Sequence, residues 1–268
     1  MITFRKLTIL FFILLLILNV GHFIGCRMDW LNGHFCTHTY VYILILFLLY
    51  IGISITMAFF IGSDFHHSCI CKGKTNEKLC SLTFDDGPHP GNTKAVLDIL
   101  NREQLSGTFF VIGEKLKGNE SLIREMDSTG HLIGNHSWSH SNWFDFFTGK
   151  RMKRELATTA NAISEIIGRS PLLFRPPFGV LNPTLSSAIK YLAYHVIGWN
   201  VRSYDTVHHD VTKTAARICR NVSPGSIILL HDPLANSPLL LEAVITGLKN
   251  QGYSIVPLMH LIHIEAYV

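Results

Sequence analysis

Thr83-Phe84-Asp85-Asp86-Gly87-Pro88 sets two adjacent carboxylates at the end of an apolar run and follows them with a Gly-Pro pair that breaks regular structure. A strand ending in this way opens onto a loop with its charges free to act, and the mouth of a strand is where α/β proteins keep their chemistry. C-terminal to this stretch the pattern alternates. It predicts strands at 79–84, 107–112, 131–134, 172–174, 194–198, 226–230 and 254–256, and helices at 93–104, 121–128, 152–167, 183–192, 212–221 and 239–250. About seven βα units imply a parallel sheet, and roughly 190 residues are few for a full eight-unit barrel. The expected fold class is α/β, a distorted or incomplete (β/α) barrel.

N-terminal to the stretch the composition changes. The chain of 268 residues is 48% hydrophobic, and the excess lies in two nearly uncharged runs, 7–20 and 40–61. Each is about long enough to cross a hydrocarbon core, which predicts two transmembrane helices at about 7–25 and 40–62 ahead of the barrel. The expected division is a membrane segment, 1–71, and a soluble domain, 72–268. Arg5 and Lys6 before the first run and Lys72, Lys74 and Lys78 after the second favour a hairpin with both ends in the cytoplasm. If the first run is instead a signal sequence, the domain lies outside, so the side of the membrane stays open.

A formal charge of +4 is small for this length, and no run of Lys or Arg is interleaved with aromatics, so no nucleic-acid partner is expected. The six cysteines form no CxxC framework, and Cys69-Ile70-Cys71 has the wrong spacing for a usual zinc knuckle. They read as packing or juxtamembrane residues, with a Cys26–Cys36 disulfide open to the short loop between the helices if that loop lies in an oxidising compartment.

The polar exceptions in this apolar chain fall together. Asp85, Asp86, His136, His140, Arg175, Asp205 and His231 all lie at or just after strand ends, which in a βα barrel form one rim. On a helical turn His136 and His140 share one face, so two imidazoles can bind one metal and an Asp from another strand can complete a three-ligand set. Taken alone the pair reads sooner as two loop histidines with backbone hydrogen bonds, and Asp85-Asp86 alone sooner as a turn-forming or helix-capping pair before Gly-Pro. His231 ends a strand and titrates in the range that suits a general acid. In Phe174-Arg175-Pro176-Pro177-Phe178-Gly179 the prolines stiffen a loop that can aim a main-chain N–H at an oxyanion, while Arg175 can orient a carboxylate.

As a set these residues resemble the polysaccharide deacetylase family, also called the NodB-homology or carbohydrate esterase 4 family. Five motifs occur in the family's order: TFDDG at 83–87, HSxxH at 136–140, RPPFG at 175–179, a Trp-to-Asp segment at 199–205, and LxH at 229–231. The resemblance covers roughly 78–261. It implies that Asp85 is the catalytic base, that Asp86, His136 and His140 bind a divalent metal, and that Arg175 pairs with the base. It further implies that His231 is the general acid, oriented by Asp205, that the Phe178 N–H serves the oxyanion, and that Trp199 and Leu229 wall the pocket for the acetyl methyl. The metal implied is zinc, with cobalt, nickel or manganese as alternatives. The activity implied is removal of N-acetyl groups from a GlcNAc-type polysaccharide, peptidoglycan or lipid-linked amino sugar at a membrane. A silent glycan-binding protein, or a deformylase or O-acetyl esterase on the same fold, are the alternatives. Two departures stand out: Phe178 replaces the usual Tyr, and Arg202 stands where many relatives carry an acid, which would favour an anionic substrate.

Overall fold

A computed structural model of the chain describes residues 2–27 and 33–268, and side chains other than those of residues 26 and 33–37. Helices α1 (Phe4–Arg27) and α2 (Gly33–Ala58) form the N-terminal pair. Within them Phe4–Gly25 and His38–Ala58 are long and apolar enough to cross a membrane, and nearly all of their surface faces outward. The Phe11 and Tyr50 rings stack at 4.6 Å, and the Thr8 and Tyr50 hydroxyls meet at 3.1 Å. Because α2 starts at Gly33, the link between the helices is shorter than the expected loop, and α2 ends at Ala58 rather than near 62. The Cys26–Cys36 pairing falls outside the described side chains.

The rest is an α/β unit in chain order: β1 (Leu79–Gly87), α3 (Asn92–Arg102), β2 (Thr108–Val111), α4 (Glu120–Ser128), β3 (Leu132–Asn135), α5 (Gly149–Ile167), β4 (Leu173–Phe174), α6 (Pro183–Leu192), β5 (His195–Val196), β6 (Val201–Arg202), α7 (Val211–Asn221), β7 (Ser226–His231), α8 (Ser237–Asn250), β8 (Ser254–Ile255) and α9 (Leu258–Ile262). All strand pairs are parallel, in the order β5-β4-β3-β2-β1-β7-β6 with β8 also on β1. The sheet curls without β5 meeting β6, as the incomplete barrel expected. Two of these elements escaped sequence reading, β6 because it follows β5 with no helix between them to set it off and α9 because its single turn is too short to show a period.

Period-two alternation decides which side chains can act. On β1, Cys80, Leu82 and Phe84 face outward into the layer of α3, α4, α7 and α8, and Ile228 and Leu230 of β7 join them. Burying side chains of this kind contributes about 1.5–3 kcal/mol each. The alternate residues of β1, Ser81, Thr83 and Asp85, therefore face inward, as do Ile227, Leu229 and His231 of β7. Asp85 and His231 are direct register partners on neighbouring strands.

The open seam is filled from the N-terminal side. The Ile70 N–H donates to the Val196 carbonyl and the Gly198 N–H to the Ile70 carbonyl, each at 2.9 Å, and Gly73 and Gly225 bond at 2.8 Å where the chain reaches β7. Cys69 and Cys71 are free thiols packed over Gly198, in line with the packing role expected of them. Gly225 has φ +83°, and a side chain there would collide with the Gly73 carbonyl. Gly225→Ala is expected to destabilise the protein by about 1–3 kcal/mol, read as a lower unfolding midpoint in detergent; an unchanged midpoint would mean the seam is not part of the folded core.

Candidate active site and metal centre

Asp85 and Asp86 are neighbours that the backbone separates. The β1–β2 register breaks between Asp85 and Gly87, and Asp86 sits at φ +71°. This bulge removes Asp86 from the alternation and turns its carboxylate toward the same pocket as that of Asp85. A side chain at Gly87 would collide with the Asp232 carboxylate behind it, which fixes the identity of the residue that ends the bulge.

Arg175 is fully buried. Its Nη1 donates to Asp85 Oδ1 at 2.7 Å and to Thr83 Oγ1 at 2.9 Å, Nε to the Ile197 carbonyl at 3.0 Å, and Nη2 to the Gly198 carbonyl at 2.9 Å. One face of the guanidinium lies 4.2 Å from the Phe110 ring centroid. The same residue's carbonyl accepts from His136 Nδ1 at 2.8 Å. A carbonyl can only accept, so the His136 proton is on Nδ1 and the Nε2 lone pair faces the pocket.

His136 and His140 do not lie on the helical turn expected of them. They bracket an irregular loop with positive φ at Ser137 (67°) and His140 (44°). Buried polar groups hold that loop: Asn135 Oδ1 accepts from the Ser137 N–H, Ser137 Oγ from the His140 N–H, and Glu155 Oε2 from both the N–H and the hydroxyl of Ser139. The two rings still converge, with centroids 4.9 Å apart.

His136 Nε2 and His140 Nε2 lie 3.4 and 3.3 Å from Asp86 Oδ1, and all three ligand atoms fall within 4.8 Å of one another. Charge-assisted hydrogen bonds are shorter, about 2.7–2.9 Å, whereas tetrahedral bonds of about 2.0–2.1 Å put donor atoms roughly 3.3–3.4 Å apart. Asp86 Oδ1 is buried and has no hydrogen-bond partner. An orphaned anionic oxygen between two imidazole nitrogens fits a divalent cation. Burial raises the Asp86 carboxyl, but the contact with His136 and the charges of His136, His140 and His231 outweigh it and hold the group well below the usual carboxylate range. Burial and the His136 charge lower His140, keeping it in the neutral form that can ligate.

Across the pocket, Asp205 is buried and takes two bonds from one residue, the His231 N–H at 2.9 Å and His231 Nδ1 at 2.7 Å. Burial disfavours a charged His231, yet the Asp205 bond and the charges of Asp205, Asp85 and Asp86 raise it above its ordinary value. A cavity of about 220 Å³ lies between the two walls, bordered by Phe178, Trp199, Leu229 and Arg202. All ten residues singled out in the sequence thus lie in or directly behind one site. Sequence reading missed Thr83, Asn135 and Glu155, which position others; their one signal is that each is a polar group buried next to a strand end or loop that carries a site residue.

Residues 72–197 match the family model described as polysaccharide deacetylase. The chain is 36% identical over 186 residues to the peptidoglycan-N-acetylmuramic acid deacetylase PdaA of Bacillus subtilis, covering 68% of this chain and 70% of that one. The solved structure of B. subtilis PdaA, a family 4 carbohydrate esterase, superposes with a TM-score of 0.65 at 34% identity over 72% of this chain and 84% of that one. The peptidoglycan-N-acetylglucosamine deacetylase PgdA of Listeria monocytogenes is 32% identical over 69% of this chain, which spans only 39% of its length. A CE4-family pseudoenzyme of Bacillus anthracis also superposes, with a TM-score of 0.67 at 25% identity over 72% of this chain and 68% of that one. The chain belongs to the polysaccharide deacetylase family, and the parallel half-barrel is that family's fold.

Replacing Asp86 by Asn is expected to weaken Zn²⁺ binding at least about tenfold, since a ligand and a compensating charge go together. Equilibrium dialysis against a zinc indicator checks this, and an unchanged affinity would place the ion elsewhere.

Proposed function

We propose that this chain is a metal-dependent hydrolase that removes N-acetyl groups from a GlcNAc-type glycan, peptidoglycan or lipid-linked amino sugar. Residues 72–268 would be the catalytic unit and residues 1–71 the membrane anchor. The observation that carries this reading is the unsatisfied Asp86 oxygen between two imidazole nitrogens, flanked by an Arg-held carboxylate and an Asp-held imidazole. Membership of a family that includes a pseudoenzyme does not by itself imply turnover; the complete set of acid, base and ligand groups does.

In this reading Asp86, His136 and His140 hold the cation, zinc foremost. Bound there, it polarises the acyl oxygen and acidifies a water. Asp85, fixed by Arg175, accepts the proton of the attacking water. His231 presents Nε2 to the pocket, because Nδ1 is committed to Asp205, and donates its proton to the departing amine. The Phe178 N–H faces the developing oxyanion, and Trp199 with Leu229 encloses the acetyl methyl. The Tyr hydroxyl that Phe178 lacks is not needed if the main chain supplies the donor.

Metal-loaded protein is expected to release acetate from N-acetylated chitooligosaccharides or peptidoglycan fragments, and chelation to abolish it; no acetate from any acetylated amino sugar would overturn the reading. Asp85→Asn is expected to keep the metal and lose about 10²–10⁴ in kcat, and loss of metal with the activity would instead make Asp85 a ligand. Because Asp205 raises His231, the acid stays protonated above its ordinary pKa and kcat/KM falls only at higher pH. Asp205→Asn therefore moves the alkaline limb of the pH profile downward; a limb that does not move removes His231 as the acid.

A further inference from the structure

The catalytic cavity has a larger neighbour. A trough of about 960 Å³ shares two wall residues with it, Trp199 and Arg202, and runs from them to Met57, Phe59, Phe60 and Tyr204. We propose that this trough seats the lipid of a membrane-embedded glycolipid whose N-acetylated amino sugar is joined to an isoprenoid-type chain through phosphate, with Arg202 as the phosphate contact. This names a substrate class for the deacetylation proposed above and rests on that reading.

Position comes first. Phe59 and Phe60 directly follow the apolar span His38–Ala58 and are 67% and 60% exposed. Two adjacent exposed rings are costly in water and suit the level where a bilayer meets its interface. The trough thus opens where a lipid tail leaves the bilayer.

Its placement relative to the catalytic cavity is fixed. The Leu181 N–H donates to the Ala58 carbonyl at 3.0 Å, His66 Nε2 bonds the Ser54 carbonyl at 3.1 Å, and Ile70 is laced to Val196 and Gly198. Ile61 packs in the same cluster as Trp199. The end of α2 is therefore part of the wall of the α/β unit and not a free tether.

Charge supplies the third element. Arg202 is exposed, has no carboxylate partner among the described residues, and lies 5.0 Å from the Tyr204 ring and 5.9 Å from that of Trp199. A guanidinium that neighbours aromatic rings and has no carboxylate partner keeps its N–H donors for a ligand, and phosphate matches them. From the bilayer inward the order is apolar trough, cation, small polar cavity. In the ligand it is lipid, phosphate, acetamido sugar. A neutral glycan polymer would use neither the trough nor the cation.

The test compares three acceptors with full-length, metal-loaded protein in phosphatidylcholine nanodiscs: an isoprenyl-phosphate-linked GlcNAc, the same lipid glycoside without phosphate, and chitotriose. The wild type is expected to show kcat/KM at least tenfold higher for the phosphate-linked lipid than for chitotriose. The double variant Phe59→Ser/Phe60→Ser should lower that ratio at least fivefold, and Arg202→Gln should erase the preference for the phosphate-linked over the neutral lipid. A wild-type ratio near one, or ratios that neither variant moves, overturns the proposal while leaving deacetylation standing. Titration of Asp85→Asn protein with the phosphate-linked lipid separates the two claims. Saturable binding weakened at least tenfold by adding Arg202→Gln, with no acetate released by the wild type, would keep this ligand and discard the deacetylation. Absent binding would discard the ligand.

Discussion

The site depends on one buried charge. Removing a guanidinium from water costs several kcal/mol, and only full pairing offsets it. Arg175 meets that condition with four hydrogen bonds, one of them to a carboxylate, and an aromatic face. The bonds that satisfy it are the ones that build the pocket. Its fork fixes Asp85 on β1, its Nε and Nη2 hold the chain after β5 where Trp199 begins, and its carbonyl sets the tautomer of His136. A neutral residue of similar size would leave the buried Asp85 carboxylate without its cation and the Ile197 and Gly198 carbonyls without their donors, while the backbone bond to His136 would remain.

Strand alternation does the rest of the positioning. Parallel pairing of β1 with β7 makes Asp85 and His231 register partners, so a carboxylate and an imidazole point into the pocket side by side, one strand spacing apart. Without the bulge at Asp86 the second carboxylate would follow Phe84 to the opposite face and leave the pocket. The two acids of this stretch differ in surroundings because they differ in backbone conformation.

Much of this was legible in the sequence, and the reasons differ by residue. The repeated helices and strands came from periodicity long enough to count, as in α5 and β7, and from the βα rhythm that placed the short β4, β5 and β8, whereas β6 breaks that rhythm by following β5 with no helix between them. The candidate site residues stood out as a set, since each alone has a structural use, whereas five motifs in one order at strand ends resemble a single family. The helical turn assigned to His136 and His140 was wrong because spacing alone does not separate a turn of helix from a loop with two positive-φ residues. That loop is set by a hydrogen bond to the side chain of Asn135 just before it and by two to Glu155 on α5, and the second of these partners leaves no local pattern. The trough beside Trp199 was also out of reach, since it arises from the docking of α2's end against a loop more than a hundred residues away.

The central claim is that Asp86, His136 and His140 form a metal centre whose donors are already arranged by Arg175 and the 136–140 loop. X-ray absorption at the metal edge of full-length protein, purified without chelator and reconstituted with one equivalent of Zn²⁺, tests it most directly. The account predicts a first shell of nitrogen and oxygen only, with the signature of two imidazoles. A shell containing sulfur, which would move the ion to Cys69 and Cys71, or the absence of stoichiometric metal, would contradict it.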